Sequence, residues 1–407
     1  MGKKNEIATA PYNFVSLPKT VLASPMDGNA VTDEERTLNY RTHVLEKGRL
    51  SGRIELTIET KTPVFIGTGV GTAEDKDLEQ FFSPRGVPMI PGSSLRGMIK
   101  NLFKIVTCGA MRADEDYYDA VTVRVMKEKC EKRVSDHIIQ ENANRMDYAD
   151  AIFGNKELWA SRLAFTDALP ERSPELDAPG FPKILSSPKP SAFQLYLAQK
   201  HGARKPADWS SAAPIRGYKL YWHQQNNGSW RNREQKESND QTKRKIQPVK
   251  KGTKFRSSIR FERLSEDELG ALLKVLRFCD GRLLCKIGKG KPLGLGSIEI
   301  TSQLVLVDTA ESYRRAFDEA GSWNTAEKTV ETDTYIQAFE DTLKKHWKSN
   351  PAAQKVYEKS MEELRHILDW DHTKMVDWEK KVAQMTIGQG DKRFKERAIL
   401  PSALDVK

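Results

Sequence analysis

Two short runs in this sequence join glycines to cations in a way that suits contact with phosphate. The first, IPGSSLRGMIKNLFK at residues 90–104, sets Gly92 before a helical pattern and places Arg96 and Lys100 one turn apart on it. A helix N-terminus presents unpaired N–H groups and a partial positive charge, so Gly92, Ser93, Ser94, Arg96 and Lys100 form a candidate phosphate cradle. An ordinary capped amphipathic helix with solvated lysines has the same pattern. The second run, GKGKPLGLG at residues 288–296, is not a nucleotide-hydrolase loop, which would end in Gly-Lys-Ser/Thr and open a helix. A dinucleotide fingerprint fails for the same reason, since Ser297 to Ile300 reads as a strand. What remains is a glycine-dense turn whose bare backbone admits an extended polymer. Gly288, Gly290, Gly294 and Gly296 supply the approach, and Lys289 and Lys291 are available to phosphates. A tight hairpin that needs positive φ angles is the ligand-free reading of the same residues.

The elements that position these runs repeat one grammar. Ile54, Leu56 and Ile58 alternate with Arg53, Glu55, Thr57 and Glu59, the pattern of a half-buried strand. A glycine-rich, acidic loop follows, then the helix carrying Leu95, Met98, Ile99, Leu102 and Ile105, which Ser93 or Ser94 can cap. In the second passage Phe255, Ile259 and Phe261 alternate with charged residues, and Ser265 with Glu268 forms a capping box before Leu269, Leu272, Leu273 and Leu276. Leu283 to Ile287 and Gly296 to Ile300 then read as strands around the glycine run. Two such passages predict an α+β fold of paired ferredoxin-like halves with long insertions. The largest insertion spans about residues 170–252 and reads as an exposed hairpin or flap. Beyond residue 307 helical periodicity dominates, over Tyr335 to Trp347 and Ala352 to Trp370.

Composition narrows the class of partner. The 407 residues carry 66 Lys and Arg against 56 Asp and Glu, and the isoelectric point near 9.2 points to a polyanion such as nucleic acid. The four cysteines, Cys108, Cys130, Cys279 and Cys285, lack regular spacing and are expected as reduced thiols. Cys108, Cys130 and His137 match no zinc-finger spacing, so no structural zinc is expected. No run is long and apolar enough to span a bilayer, and the N-terminus lacks a secretory stretch, so a cytoplasmic protein with no membrane partner is expected.

The order of FIGTG (Phe65 to Gly69), IPGSSLRG (Ile90 to Gly97), IFGN and SRLAFTDA (Ile152 to Asn155, Ser161 to Ala168) and GKGKPLGLG resembles the CRISPR-associated RAMP superfamily over most of residues 51–300. It is most similar to the backbone subunits of type III effector complexes. The resemblance implies a paired ferredoxin-like (RRM-like) RAMP core over 51–305 with a basic thumb-like insertion at about 170–252. An N-terminal extension over 1–50 and a mainly helical C-terminal extension over 306–407 would flank it. The implied partners are a guide CRISPR RNA, complementary target RNA and other type III subunits. Between residues 231 and 254 nine Lys or Arg stand against three acids, with Trp222 and Trp230 as stacking candidates.

In the cleaving members of that family an aspartate lies between the first glycine motif and the PGSSL helix. Glu74, Asp75, Asp77 and Glu79 are the acids there, and the resemblance implies Asp77, whose distance before Pro91 best matches the family's pattern, with Asp75 as the alternative. The resemblance implies that this carboxylate holds a divalent cation, Mg2+ or Mn2+, while a ribose 2′-hydroxyl attacks the neighbouring phosphorus. Acids that are merely solvated would leave a non-catalytic architectural RNA-binding subunit. A guide-precursor processing endoribonuclease is the more distant third reading.

Overall fold

The computed structural model describes residues 7–111, 134–155, 158–185, 190–200, 205–225, 230–239, 242–316, 326–386 and 391–407; Cys130 lies outside them. The strands are β1 (Tyr12–Val15), β2 (Leu50–Thr60), β3 (Gly67–Gly71), β4 (Glu79–Phe81), β5 (Leu163–Phe165), β6 (Leu169–Pro170), β7 (Tyr218–Tyr221), β8 (Lys254–Leu264), β9 (Cys285–Lys286), β10 (Ser297–Val307) and β11 (Glu327–Val330). Seven of them make one sheet ordered β11-β10-β2-β8-β5, with β6 on β8 and β9 on β10, and every pairing is antiparallel. Its long strands are β2, β8 and β10.

The first core helix (Gly92–Val106) follows β2 and the second (Glu266–Arg277) follows β8. Taken in chain order, β2, β5, β8 and β10 stand second, fourth, third and first across the sheet, which is the split βαβ arrangement of a ferredoxin-like unit. The two strand-helix passages legible in the sequence therefore exist, but instead of two packed ferredoxin-like halves they build one such unit with a single continuous sheet, because β2 and β8 pair with each other. Ile54, Leu56 and Ile58 point to the helix side and are at most 1% exposed, packed in one cluster with Leu95, Ile99, Leu272 and Leu276. The C-terminal helices (Asp333–Lys348 and Pro351–Leu368) bury Phe339, Leu364 and Ile367 in that same cluster.

Three local expectations are corrected. Neither Ser93 nor Ser94 caps the first core helix; Pro91 holds the cap position, and the Asp167 carboxylate accepts the Gly92 N–H at 2.7 Å. A Cβ at Gly92 would stand 2.4 Å from the Phe165 carbonyl, so β5 ends too close to the helix for any side chain there. Second, Cys279 and Cys285 form a disulfide rather than staying reduced, because the turn from the second core helix to β9 brings their Cα atoms to 5.1 Å. Cys108 is a buried free thiol. Third, described parts of the segment 170–252 lie down on the core. Bridges join Val249 to Val64 and Leu176, Ile246 to Gly180, Lys245 to Leu78 and Arg231 to Pro182. Trp222 and Trp230 are 1% and 0% exposed, so neither can stack on a base; a segment so poor in aliphatic residues uses its indoles to anchor itself.

Two buried polar contacts fix the frame. Arg162, from the SRLAF run, forks onto Glu268, with Nη1 to Oε2 at 2.9 Å, and also donates to the Ala151 and Arg263 carbonyls. Glu268 in turn completes the capping box with Ser265. His223, just after β7, meets Ser297 Oγ through Nδ1 and the Leu284 carbonyl through Nε2, each at 2.9 Å. Burial, reinforced by the charge of Lys286, pushes His223 down to about 3. Among the described residues no helix is long and apolar enough to cross a membrane.

Arg162→Ala leaves the Glu268 carboxylate with the Ser265 N–H and a 3.6 Å contact with Arg49 and is expected to cost about 3 kcal/mol in urea denaturation, with no rescue by Lys, which lacks the fork. His223 is neutral in the folded chain, so between its unfolded value near 6.5 and about 3 the unfolded state binds the extra proton. Its contribution is complete above the upper value and is lost as pH falls toward the lower, by up to about 1.4 kcal/mol per pH unit. His223→Gln should flatten that part of the stability profile; an unchanged slope rejects the assignment.

Candidate nucleic-acid interface

The glycine run docks on the FIGTG loop. Lys289 N–H donates to the Phe65 carbonyl and Gly296 N–H to the Pro63 carbonyl, both at 2.9 Å. Gly288 has φ +82°, and a Cβ on it would lie 2.4 Å from the Phe65 oxygen, so only glycine closes this contact. Gly290 and Gly294, both left-handed, bracket a single tight turn over Lys291–Leu293. The amides of Leu293, Gly294 and Leu295 all bond within the run. Much of the glycine backbone thus faces protein, and side chains form the outward surface.

The lysines divide the work. Lys291 folds back to donate to the Gly288 carbonyl at 2.7 Å, and burial lowers its pKa. Lys286, which the sequence reading passed over, donates to the Lys291 and Leu295 carbonyls at 3.1 and 3.0 Å; burial, then the charge of Lys291, pushes it down to about 7. Both tie the turn together from inside. Lys289 is the outward one, its side chain 52% exposed and paired with Glu79. Glu79 also accepts the Gly69 N–H at 2.9 Å, so one carboxylate clamps the FIGTG loop to the glycine run.

That clamp belongs to the β3–β4 hairpin, which carries the candidate acids. Asp75 accepts the Asp77 N–H at 2.8 Å and lies 3.5 Å from Lys245 Nζ. The Asp77 carbonyl accepts the Lys245 N–H at 2.6 Å, and the Glu79 N–H donates to the Lys245 carbonyl at 2.8 Å. Arg244 reaches the Gly69 carbonyl. The basic insertion therefore straps the acidic hairpin from its far side, and Arg244 and Lys245 join the site through tertiary pairing rather than through any motif. Among the described residues the exposed Asp77 carboxylate takes neither ion pair nor hydrogen bond.

The helix cradle stands apart from this cluster. Asp167 already occupies the amide of Gly92, Ser93 is exposed, and Ser94 lies in the first turn. Arg96 donates to the Phe153 carbonyl at 2.7 Å and lies over that ring, as does Lys100, whose pKa is lowered first by burial and then by Lys104. Asp167 sits inside the SRLAFTDA run, but its capping role is tertiary and has no periodic signal.

The open face of the sheet is polar and charge-paired. Arg53 meets Glu55 and Glu327 at 3.1 and 2.7 Å, and Lys61 meets Glu59 and Glu299 at 3.1 and 2.7 Å. Thr57, Ser258, Arg260, Thr301 and Gln303 complete it. Ferredoxin-like sheets that read RNA by stacking carry aromatic rings on this face, and none of these residues is aromatic.

Among the described residues no three His, Cys, Asp or Glu side chains gather as a metal site. No curated protein matches the chain. The model of the RAMP superfamily matches residues 57–299, more than half of the sequence, running from within β2 to the start of β10 and so taking in β5, β6, β8, β9, both core helices and both loops. With its ferredoxin-like core carrying the FIGTG and GKGKPLGLG loops against each other, the chain belongs to the CRISPR-associated RAMP superfamily.

Proposed function

We propose that this RNA-binding RAMP protein serves as a backbone subunit of a type III CRISPR effector in the cytoplasm. It holds a guide CRISPR RNA, pairs with target RNA and neighbouring subunits, and cuts the target at Asp77. The observation that carries the catalytic part is the contrast among the hairpin acids. Asp75 is turned to Lys245 and the Asp77 amide, and Glu79 is held by Gly69 and Lys289, while the Asp77 carboxylate stands exposed at a fixed backbone position.

A lone carboxylate is too small a donor set for an ion held by protein alone. It fits a hydrated divalent cation that also binds RNA phosphates, since Mg2+ keeps several waters and uses one or two carboxylates. Such an ion supplies charge screening at the scissile phosphate. What the chain itself contributes is position: the Lys245 pairing and the Lys289–Glu79 clamp hold Asp77 beside the glycine loop. The architectural alternative is favoured by the absence of a second acid aimed with Asp77, and the same experiment separates the two.

In a reconstituted complex with complementary RNA and Mg2+, Asp77→Ala should abolish the cuts made at this subunit's position, lowering their rate at least ~100-fold, while guide binding persists. Unchanged cutting returns the chain to an architectural role. For the glycine loop, Lys289→Ala should weaken binding to RNA of any sequence and reduce the slope of log affinity against log salt by roughly 0.7, the share of one phosphate contact on single-stranded RNA. Lys291→Ala should instead loosen the turn, seen as a lower melting temperature with a nearly unchanged salt slope; the reverse pattern would contradict this division of labour.

A further inference from the structure

A second cationic group lies away from the glycine loop. Lys219 on β7 points its Nζ onto the Tyr12 ring, 3.7 Å from the centroid, with the rings of Tyr196 and Tyr221 at 5.4 and 5.6 Å. The three tyrosines come from segments far apart in sequence: β1, the short helix Phe193–Tyr196 and β7. Tyr12 and Tyr196 are nearly parallel, 21° apart with centroids 6.2 Å apart, and Tyr221 stands edge-on to Tyr12 at 79°. All four side chains are partly exposed. The floor beneath them is rigid, a small apolar cluster of Phe14, Leu195, Met385 and Leu400.

The charge here is unbalanced. Among the described residues no carboxylate pairs with Lys219, and burial pushes its amine down to about 8. Arg216, just before β7, gives its guanidinium to the Leu197, Leu400 and Pro401 carbonyls and, among the described residues, to no acid. The carboxylate whose charge it feels, Glu363, is tied to the Ser16 N–H at 2.7 Å and to Lys359 at 3.4 Å. One cation set among rings and another held by carbonyls, beside three partly exposed rings, suit an anion that carries a flat apolar face.

Continuity with the glycine loop says which. Gln224, three residues past Tyr221, reaches the Pro292 carbonyl at 3.5 Å, and His223 bonds to Ser297 at the loop's exit. Three extended residues span at most about 11 Å, so the short stretch after Tyr221 runs directly to the residue that meets the glycine run. Resting on the RNA-binding reading above, we propose that Tyr12, Tyr196, Tyr221 and Lys219 form a nucleotide subsite for single-stranded RNA leaving the glycine loop. The rings take a base by stacking, and the ammonium takes its phosphate. Base–aromatic stacking is tolerant of sequence, so the subsite carries affinity without a code.

The test uses the full chain and a thiouridine-containing oligouridine. Photocrosslinks are expected on the peptides bearing Tyr12, Tyr196 or Tyr221. Lys219→Met, which keeps the stem packed, and Tyr221→Ala should each weaken binding roughly tenfold, with Tyr221→Phe close to the parent. A melting curve identifies any variant that unfolds, and Lys219→Met then carries the comparison. If the parent chain binds the probe but crosslinks elsewhere, and Lys219→Met and Tyr221→Ala bind as well as it does, the subsite is overturned and RNA binding stands. If the parent chain binds no oligouridine even at low salt, both readings fall.

Discussion

The pairing of the two glycine loops depends on one close approach, that of the Gly288 backbone to the Phe65 carbonyl. With a side chain at Gly288 the two loops could not meet, and the contacts that hang from their meeting would go with it. These are the Lys289 amide on Phe65, the Glu79 carboxylate shared between Gly69 and Lys289, and through Glu79 the anchorage of the acidic hairpin. Glycine is there to let two pieces of main chain touch, and the cation beside it is displayed as a result. Burial of Lys286 and Lys291 within the same turn adds internal hydrogen bonds where a surface loop would have solvated amines, which makes the turn a fixed object.

How much of this could be read in the sequence divides along a physical line. Strands β2 and β8, the two core helices and the capping box at Ser265 carry local periodic signals, and they stand where the pattern put them. The seating of FIGTG against GKGKPLGLG was legible as two motifs but not as one contact. The misreadings were all tertiary. Asp167 displaced the serines as helix cap because β5 ends against the helix, and Trp222 and Trp230 went inward because the insertion had few other residues with which to attach itself. The Cys279–Cys285 bond needed a turn geometry that spacing alone does not specify. Arg244 and Lys245 were visible only as part of a basic run, and their partners lie some 170 residues away.

The electrostatics follow from that arrangement. A net charge of +10 is not spread evenly: Arg53 and Lys61 on the open strands each meet two carboxylates, Lys289 is paired with Glu79, and Lys286, Lys291, Arg216 and Lys219 have carbonyls or rings as neighbours. Such groups lose less to competing carboxylates when a phosphate arrives, and their partial burial weakens screening by salt. A polymer whose charge repeats along its length suits two separated cationic points better than one broad basic plate would.

The ends of the sheet have a further consequence. On one side β5 runs for three residues and β6 for two, stopping at Pro170, which has no N–H to give; on the other, β11 is four residues long and begins with Glu327 and Lys328. Neither rim offers a long row of unsatisfied backbone groups to a newcomer. A further strand laid against either rim would find few amides and carbonyls to bond, so this sheet is closed to growth by its own short margins.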